Sequence, residues 1–108
     1  MLLNADEASI PVAKLRDFVL SESHRDNRDR WRLFAAIGFT QENWEEIADA
    51  LRAQHLTNDA VASRSNSRGQ LYTIVAPLVG PKGTANIKSV WQIDYGTEAP
   101  RFITAYGA

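Results

Sequence analysis

The sequence predicts an α+β fold, with three N-terminal helices packed on one face of a three- to four-stranded antiparallel sheet. Two patterns carry this reading. In the first half, apolar residues recur at helical spacing and stand next to capping residues. In the second half, apolar and polar residues alternate between turns rich in Gly, Pro and Ser. The connections between the strands are short, so an antiparallel meander is the simplest topology.

The first helix is read in "IPVAKLRDFVL". Pro11 suits a first helical turn, where its missing N–H costs nothing, and Leu15, Phe18 and Val19 follow at helical spacing. The second is read in "SESHRDNRDRWRLFAAIGF", with Ser21 and Ser23 as candidate N-caps. Trp31, Phe34, Ala35 and Gly38 form its apolar stripe, and Gly38 is the expected stop. The third is "TQENWEEIADALRAQHL", capped by Thr40, with Glu42 in the first turn where the helix dipole favours an acid. Trp44, Ile47, Ala48 and Leu51 repeat the stripe. Trp31, Trp44 and Trp91 all lie on apolar stripes and are expected in the core.

From Asn58 onward the texture is that of strands. "DAVASRSNSRGQLYTIVAPLVG" reads as two strands meeting at a polar turn from Ser65 to Gly69. Gly80 to Gly83, "GPKG", is a second turn. In "ANIKSVWQIDYG", Ile87, Trp91, Ile93 and Tyr95 share one face, and Lys88, Gln92 and Asp94 share the other. After the turn "GTEAP", the segment "RFITAY" is the last strand. Alternation places Phe102, Thr104 and Tyr106 on one of its faces and Arg101, Ile103 and Ala105 on the other.

The chain has 108 residues, enough for one domain, with a helical half at 10–56 and a sheet half at 58–107. Hydrophobic residues make up 44%, which argues against wholesale disorder. A net charge of −1 argues against a protein coated in positive charge, but leaves room for a local basic patch. With no cysteine, disulfides and thiolate metal sites are excluded, which fits a cytoplasmic protein. The start "MLLNADEASI" lacks the basic and apolar regions of a signal peptide. No run approaches the roughly 20 apolar residues of a membrane span. A soluble bacterial-type protein with no membrane partner is expected.

The chemistry-bearing residues are few. The two histidines, His24 and His55, lie on different predicted helices with no metal-ligand spacing, so no metal and no cofactor is expected. Phosphate-cradling glycine loops and a nucleophile elbow are absent. His55, at the end of the third helix, reads as a structural or surface residue, and a protonated histidine there would suit the dipole.

The stretch "SHRDNRDRWR" sets His24 among Arg25, Arg28, Arg30 and Arg32. On a helix, His24, Arg28 and Arg32 would form one i, i+4 row. Two readings stand. One is a solvated face held by ion pairs such as Asp26 to Arg30. The other is a phosphodiester site, in which imidazole moves a proton and guanidinium holds a phosphate through two hydrogen bonds. Thr104 and Tyr106 carry a similar pair of readings: ordinary strand formers, or hydroxyl donors to a phosphate oxygen.

In order along the chain, "IPVAKLRDFVLSESH", "FAAIGFTQENWEEIADALR", "PLVGPKG", "SVWQID" and "PRFITAYG" resemble a bacterial family known as domain of unknown function 6883. That family shows Ser-x-x-His followed by a Gly and a Lys, then Gly-Phe and Asn-Trp, and a closing Pro-Arg-Leu-Val-Thr-Ala-Tyr-Pro. Its members occur alone and as terminal domains of larger proteins, some of them similar to toxin modules. The closing strand is also similar, more loosely, to the last strand of ribonuclease toxins of the barnase, EndoU, colicin and RelE-like fold.

This second resemblance implies a metal-independent endoribonuclease that cleaves RNA by transesterification through the 2′-OH. His24 would be the general acid/base, and Arg30, Thr104 and Tyr106 would complete the catalytic set. Arg28 and Arg101 would bind substrate. The implied partners are RNA and a small antitoxin or immunity protein. This chain departs from the family pattern at Arg30 in place of Lys, Asn27 in place of Gly, and Gly107 in place of Pro. The alternative is a non-catalytic protein-binding module of a toxin–antitoxin or effector–immunity pair.

Overall fold

The structure, a computed structural model, describes residues 2–108; Met1, the first residue of "MLLNADEASI", lies outside them. The expected α+β class forms, with a four-stranded antiparallel sheet in the order β1-β2-β3-β4. The strands are β1 (Val61–Ser65), β2 (Gly69–Gly80), β3 (Gly83–Asp94) and β4 (Arg101–Gly107). The helices are α1 (Val12–Lys14), α2 (Trp31–Ala36) and α3 (Trp44–Ala50). Both α1 and α3 continue directly into π-helical turns, Leu15–Val19 and Leu51–His55. A 3-10 turn, Ala5–Glu7, precedes α1, and the chain then lays Ser9 beside Arg101 in a single parallel bridge.

β2 and β3 form the spine of the sheet, paired residue for residue from Gly69↔Asp94 to Gly80↔Gly83. Their inner face holds Ile74, Ala76, Leu78, Ile87, Ser89 and Trp91, all buried. Phe34, Ile47, Leu51 and Leu56 from the helical half join the same apolar cluster. The helices reach the sheet in different ways. The α3 segment lies against β2, whereas α1 and its π turn lie against β4. α2 ends on the β2–β3 turn, where Lys82 N–H donates to the carbonyl of Ile37 (3.0 Å). A Cβ at Gly80 would lie 2.2 Å from that same carbonyl, so the close approach requires glycine.

α2 departs from expectation at its start and agrees at its end. The sequence placed its beginning near Ser21 to Ser23, but residues 21–30 form turns and the helix begins only at Trp31. Arg28 (φ 54°) and Asp29 (φ 66°) are left-handed, which no helix tolerates. The expected row of His24, Arg28 and Arg32 therefore does not form. The expected Asp26–Arg30 pair gives way to Arg32–Asp29 at 3.4 Å. At the other end Gly38 (φ 98°) closes the helix. Gly38 N–H donates to Ala35 O (3.0 Å) and Phe39 N–H to Phe34 O (2.8 Å), the paired bonds of a Schellman motif. Thr40 caps the next segment together with Asn43, whose Oδ1 accepts from Thr40 N–H (2.7 Å) while its Nδ2 donates to Gly38 O (2.9 Å).

The last strand corrects the alternation. Val90 faces Thr104, but Trp91 faces Phe102, so Ile103 is an extra residue in β4. A bulge of this kind shifts the phase of everything beyond it by one. Phe102 points into the core, edge-on to Trp91 at 5.3 Å, and Ala105 is also buried. Thr104 and Tyr106 do share a face, opposite Val90 and Lys88, but Phe102 is not on it. Tyr95, expected on the core face of β3, lies beyond the strand and is exposed. Of the tryptophans only Trp91 is fully buried, while Trp31 and Trp44 are half-buried.

His55 is wholly buried, which removes the surface reading. Its Nε2 lies 3.2 Å from Ala76 O, an acceptor only, so Nε2 carries the proton. Nδ1 then accepts from Ser89 Oγ–H (2.7 Å), and Ser89 Oγ accepts from Trp91 Nε1–H (2.9 Å). This directed chain fastens the end of α3 to both central strands. Burial pushes the His55 imidazole below its ordinary range, partly opposed by the bond to Ala76, so the ring is held neutral rather than charged by the helix dipole.

Candidate functional site

The segment that carries His24 is organised by Asn27, which the sequence marked only as a departure from the family's Gly. Asn27 is 1% exposed, and its Nδ2 donates to Phe18 O (2.6 Å) and Val19 O (3.0 Å). Its Oδ1 accepts from Trp31 N–H (3.0 Å), the first amide of α2. One carboxamide thus ties the end of the first helical segment to the start of the next. The sequence signals were an uncharged residue in the middle of "HRDNRD" and its standing where the family has Gly.

His24 is exposed on this segment. Its backbone N–H donates to Ser21 Oγ (3.1 Å), and its ring stands edge-on to Phe18, 4.9 Å between centroids. Asp26 N–H donates to His24 Nδ1 (3.2 Å). Nδ1 is therefore an acceptor, and the neutral ring carries its proton on Nε2. The ring meets an incoming anion as a donor.

Arg30 is half-buried beside it. Its guanidinium lies over Tyr106 (5.2 Å to the ring centroid) and over Phe18 (5.8 Å), and Nη1 reaches Thr104 Oγ1 at 3.5 Å. Aromatic faces attract a cation without neutralising it. Among the described residues the ion pairs are Arg16–Asp17, Arg32–Asp29 and Arg101–Asp94, none of which involves Arg30. The charge is thus fixed in direction and open to an anion.

These groups surround a cleft of about 360 Å³ lined by Ala13, Lys14, Phe18, His24, Arg30, Ile103 and Thr104. The bulge at Ile103 helps form its sheet side, and no carboxylate lines it. Three of the four residues expected to be catalytic, His24, Arg30 and Thr104, line this cleft, and Tyr106 adjoins it through Arg30. The two expected substrate-binding arginines do not line it. Arg28 is exposed in the left-handed turn. Arg101 is engaged with Asp94, with Nη2–Oδ1 at 3.3 Å and Nε–Oδ2 at 3.4 Å. That hydrogen bonding, with a further bond from Gln92 Nε2 (2.6 Å), holds the Asp94 carboxyl below the usual carboxylate range.

A larger cavity of about 420 Å³ lies elsewhere, lined by Leu2, Asn4, Ala5, Asp6, Arg52, Leu56 and Thr57. Its guanidinium is occupied, because Arg52 Nη1 donates to Ala8 O (2.7 Å). In the smaller cleft the guanidinium bonds no backbone or carboxylate oxygen among the described residues. Among the described residues no three His, Cys, Asp or Glu side chains gather as a metal site would require. No helix among them is long and apolar enough to cross a membrane.

The chain belongs to the family described as Domain of unknown function (DUF6883), whose model matches residues 1–108. No curated protein and no solved structure gives a significant match. The looser likeness to ribonuclease toxins has no support from these comparisons.

Proposed function

We propose that this DUF6883 domain is a metal-independent, toxin-like endoribonuclease whose working site is the cleft between residues 13–30 and β4. The observation that carries the reading is Arg30. It is a half-buried guanidinium with no carboxylate partner among the described residues, held between two aromatic rings with Thr104 and His24 on the same cleft. A cation arranged in this way selects an anionic group and can stabilise charge that grows on it.

In the proposed reaction the 2′-oxygen of RNA attacks the adjacent phosphorus. A P–O2′ bond forms, the P–O5′ bond breaks, the 2′-hydroxyl gives its proton to solvent water and the 5′-oxygen gains one from the imidazolium form of His24. The products are a 2′,3′-cyclic phosphate and a free 5′-hydroxyl. Arg30 and the Thr104 hydroxyl meet the non-bridging oxygens. In the geometry that accepts Asp26 N–H at Nδ1, the neutral His24 ring donates a hydrogen bond from Nε2 to a phosphate oxygen. Full proton transfer to the departing 5′-oxygen requires the imidazolium form, whose Nδ1–H gives up the Asp26 N–H bond. Tyr106 keeps the guanidinium oriented. Within a pair of this kind, a small acidic antitoxin or immunity protein would inhibit by covering the same cations.

The test is incubation of purified protein with end-labelled RNA and with the same sequence as DNA. RNA should be cut to fragments ending in cyclic phosphate, and DNA should remain whole. His24→Ala should slow cleavage by roughly 10²–10⁴-fold, the usual contribution of a general acid or base. Thr104→Val and Arg30→Gln should each lower the rate with the fold retained. Intact RNA, or equal cleavage by His24→Ala, would overturn the proposal. Intact RNA together with specific retention of a protein partner would favour the binding-module reading.

A further inference from the structure

Thr104, which lines the cleft, stands with Tyr106 on the outer face of the sheet, opposite the face of buried Phe102 and Ala105. Lys88 belongs to the same face. It pairs directly with Tyr106 across β3 and β4 and with Val75 across β2 and β3. Directly opposed residues on one face of a sheet have Cβ atoms about 4.5–5.5 Å apart. Lys88 is half-buried and takes part in none of the ion pairs among the described residues. Its neighbours on that face are Val75, Asn86, Val90, Thr104 and Tyr106, and none is acidic. A lysine held on a strand, with no acidic side chain among those neighbours, offers its charge to something outside the molecule.

Thr104 and Tyr106 are two residues apart on β4, beyond the bulge, and so stand about 6.6 Å apart along the strand. This is comparable to the spacing of neighbouring phosphates in an extended single strand. We infer that Lys88 and Tyr106 form a second phosphate subsite, next to the one at Arg30 and Thr104, so that the site takes a single-stranded nucleic acid segment with at least two consecutive phosphates. The inference rests on the reading of the cleft as an RNA site and adds a direction to it: the strand leaves the cleft across the outer face of β4 and β3. Lys88 acts in binding and touches no reacting atom.

The experiment measures affinity with substrates that cannot be cut. A 2′-O-methyl trinucleotide with two phosphates, and its dinucleotide counterpart with one, are titrated into wild type, Lys88→Gln, Lys88→Arg and Lys82→Gln. Lys82 is an exposed cation at the tip of the β2–β3 turn and serves as the control. Lys88→Gln should weaken the trinucleotide whatever its sequence. It should also lower the slope of log K against log salt by about 0.7, the change expected when the protein neutralises one phosphate fewer on a single strand. Lys88→Arg should retain the slope, and Lys82→Gln should change nothing. The dinucleotide should not distinguish wild type from Lys88→Gln. If wild type binds the trinucleotide and Lys88→Gln binds it equally well, the second subsite is wrong and the cleft reading stands. Equal weakening of the dinucleotide also overturns it. If wild type binds neither probe, both proposals fall.

Discussion

Replacing Ser89 with alanine tests the buried chain at its centre. Ser89 Oγ accepts from Trp91 Nε1–H at 2.9 Å and donates to His55 Nδ1 at 2.7 Å, and all three residues are 0% exposed. The substitution removes a single oxygen and strands two polar atoms, one donor and one acceptor. Each buried group left without a partner costs about 1–3 kcal/mol, so the direct sum is about 2–6 kcal/mol. The space of one oxygen is too small to admit a water that would mend both bonds. Neither ring is free to turn elsewhere. Trp91 is wedged against Phe102, and His55 is held from its other side by Ala76. The expected loss is about 3 kcal/mol, a large share of the 5–15 kcal/mol that holds a domain of ordinary stability. Urea unfolding followed by tryptophan fluorescence should show a lower midpoint at an unchanged slope. Ser63→Ala, which removes an exposed hydroxyl bonded to Leu71 O (3.2 Å), is the control and should stay within about 0.5 kcal/mol. If Ser89→Ala also falls within about 0.5 kcal/mol of wild type, the chain is not what secures α3 to the sheet.

Acidification should act on the same chain. The folded state holds His55 below its ordinary value of 6.5, so the folded protein binds fewer protons than the unfolded chain. Stability from this group is complete above about pH 6.5 and declines as pH falls toward the folded value, at up to about 1.4 kcal/mol per pH unit. Unfolding midpoints across pH 5–8 should show this decline in wild type, and His55→Gln should flatten it. Asn27→Ala removes three hydrogen bonds around a buried carboxamide and should cost about 2–4 kcal/mol. It should also speed amide exchange of residues 21–30 before the sheet is affected, and an unchanged exchange pattern would show that the segment is held by other means.

The sheet was the most legible part of the sequence. Its turns are marked by Ser65 to Gly69 and by the Gly80–Gly83 turn, and in β3 the period of two is strict from Ile87 to Trp91. The helix beginning at Trp31 was legible at its end, where glycine is the one residue suited to the left-handed position. It was not legible at its start. Charged residues such as those between His24 and Arg30 have no pattern that separates an exposed helix from a string of turns. What decides is Asn27, through bonds to residues eight and nine positions earlier, and local spacing cannot register those. The same limit applied to His55. Its position at a helix end left a structural and a surface reading open, and the choice depended on Ser89 and Ala76 from distant strands. Of the residues singled out in the sequence, His24, Arg30 and Thr104 line one cleft, whereas Arg28 and Arg101 do not, and its geometry was not legible. Thr104 and Tyr106 were placed together by alternation, but the bulge that turns Phe102 away from them has no local marker. By spacing alone Arg30 stood out no more than Arg25 or Arg28; the family resemblance singled it out, and the rings of Phe18 and Tyr106 around it could not be read from the sequence.

The extra residue at Ile103 makes the last strand a text read in two frames. Before it, odd and even positions carry one meaning, and after it the meanings are exchanged. Deleting Ile103 would leave the strand in a single frame: Phe102 would still meet Trp91 and Thr104 would still meet Val90, so Phe102 and Ala105 would stay inside and Thr104 and Tyr106 outside. The loss would be the local bend and twist that the bulge gives β4, and with it the side of the cleft that Ile103 lines. The unpaired residue is punctuation of that kind: it changes no word on either side of it, and it sets how the last strand turns.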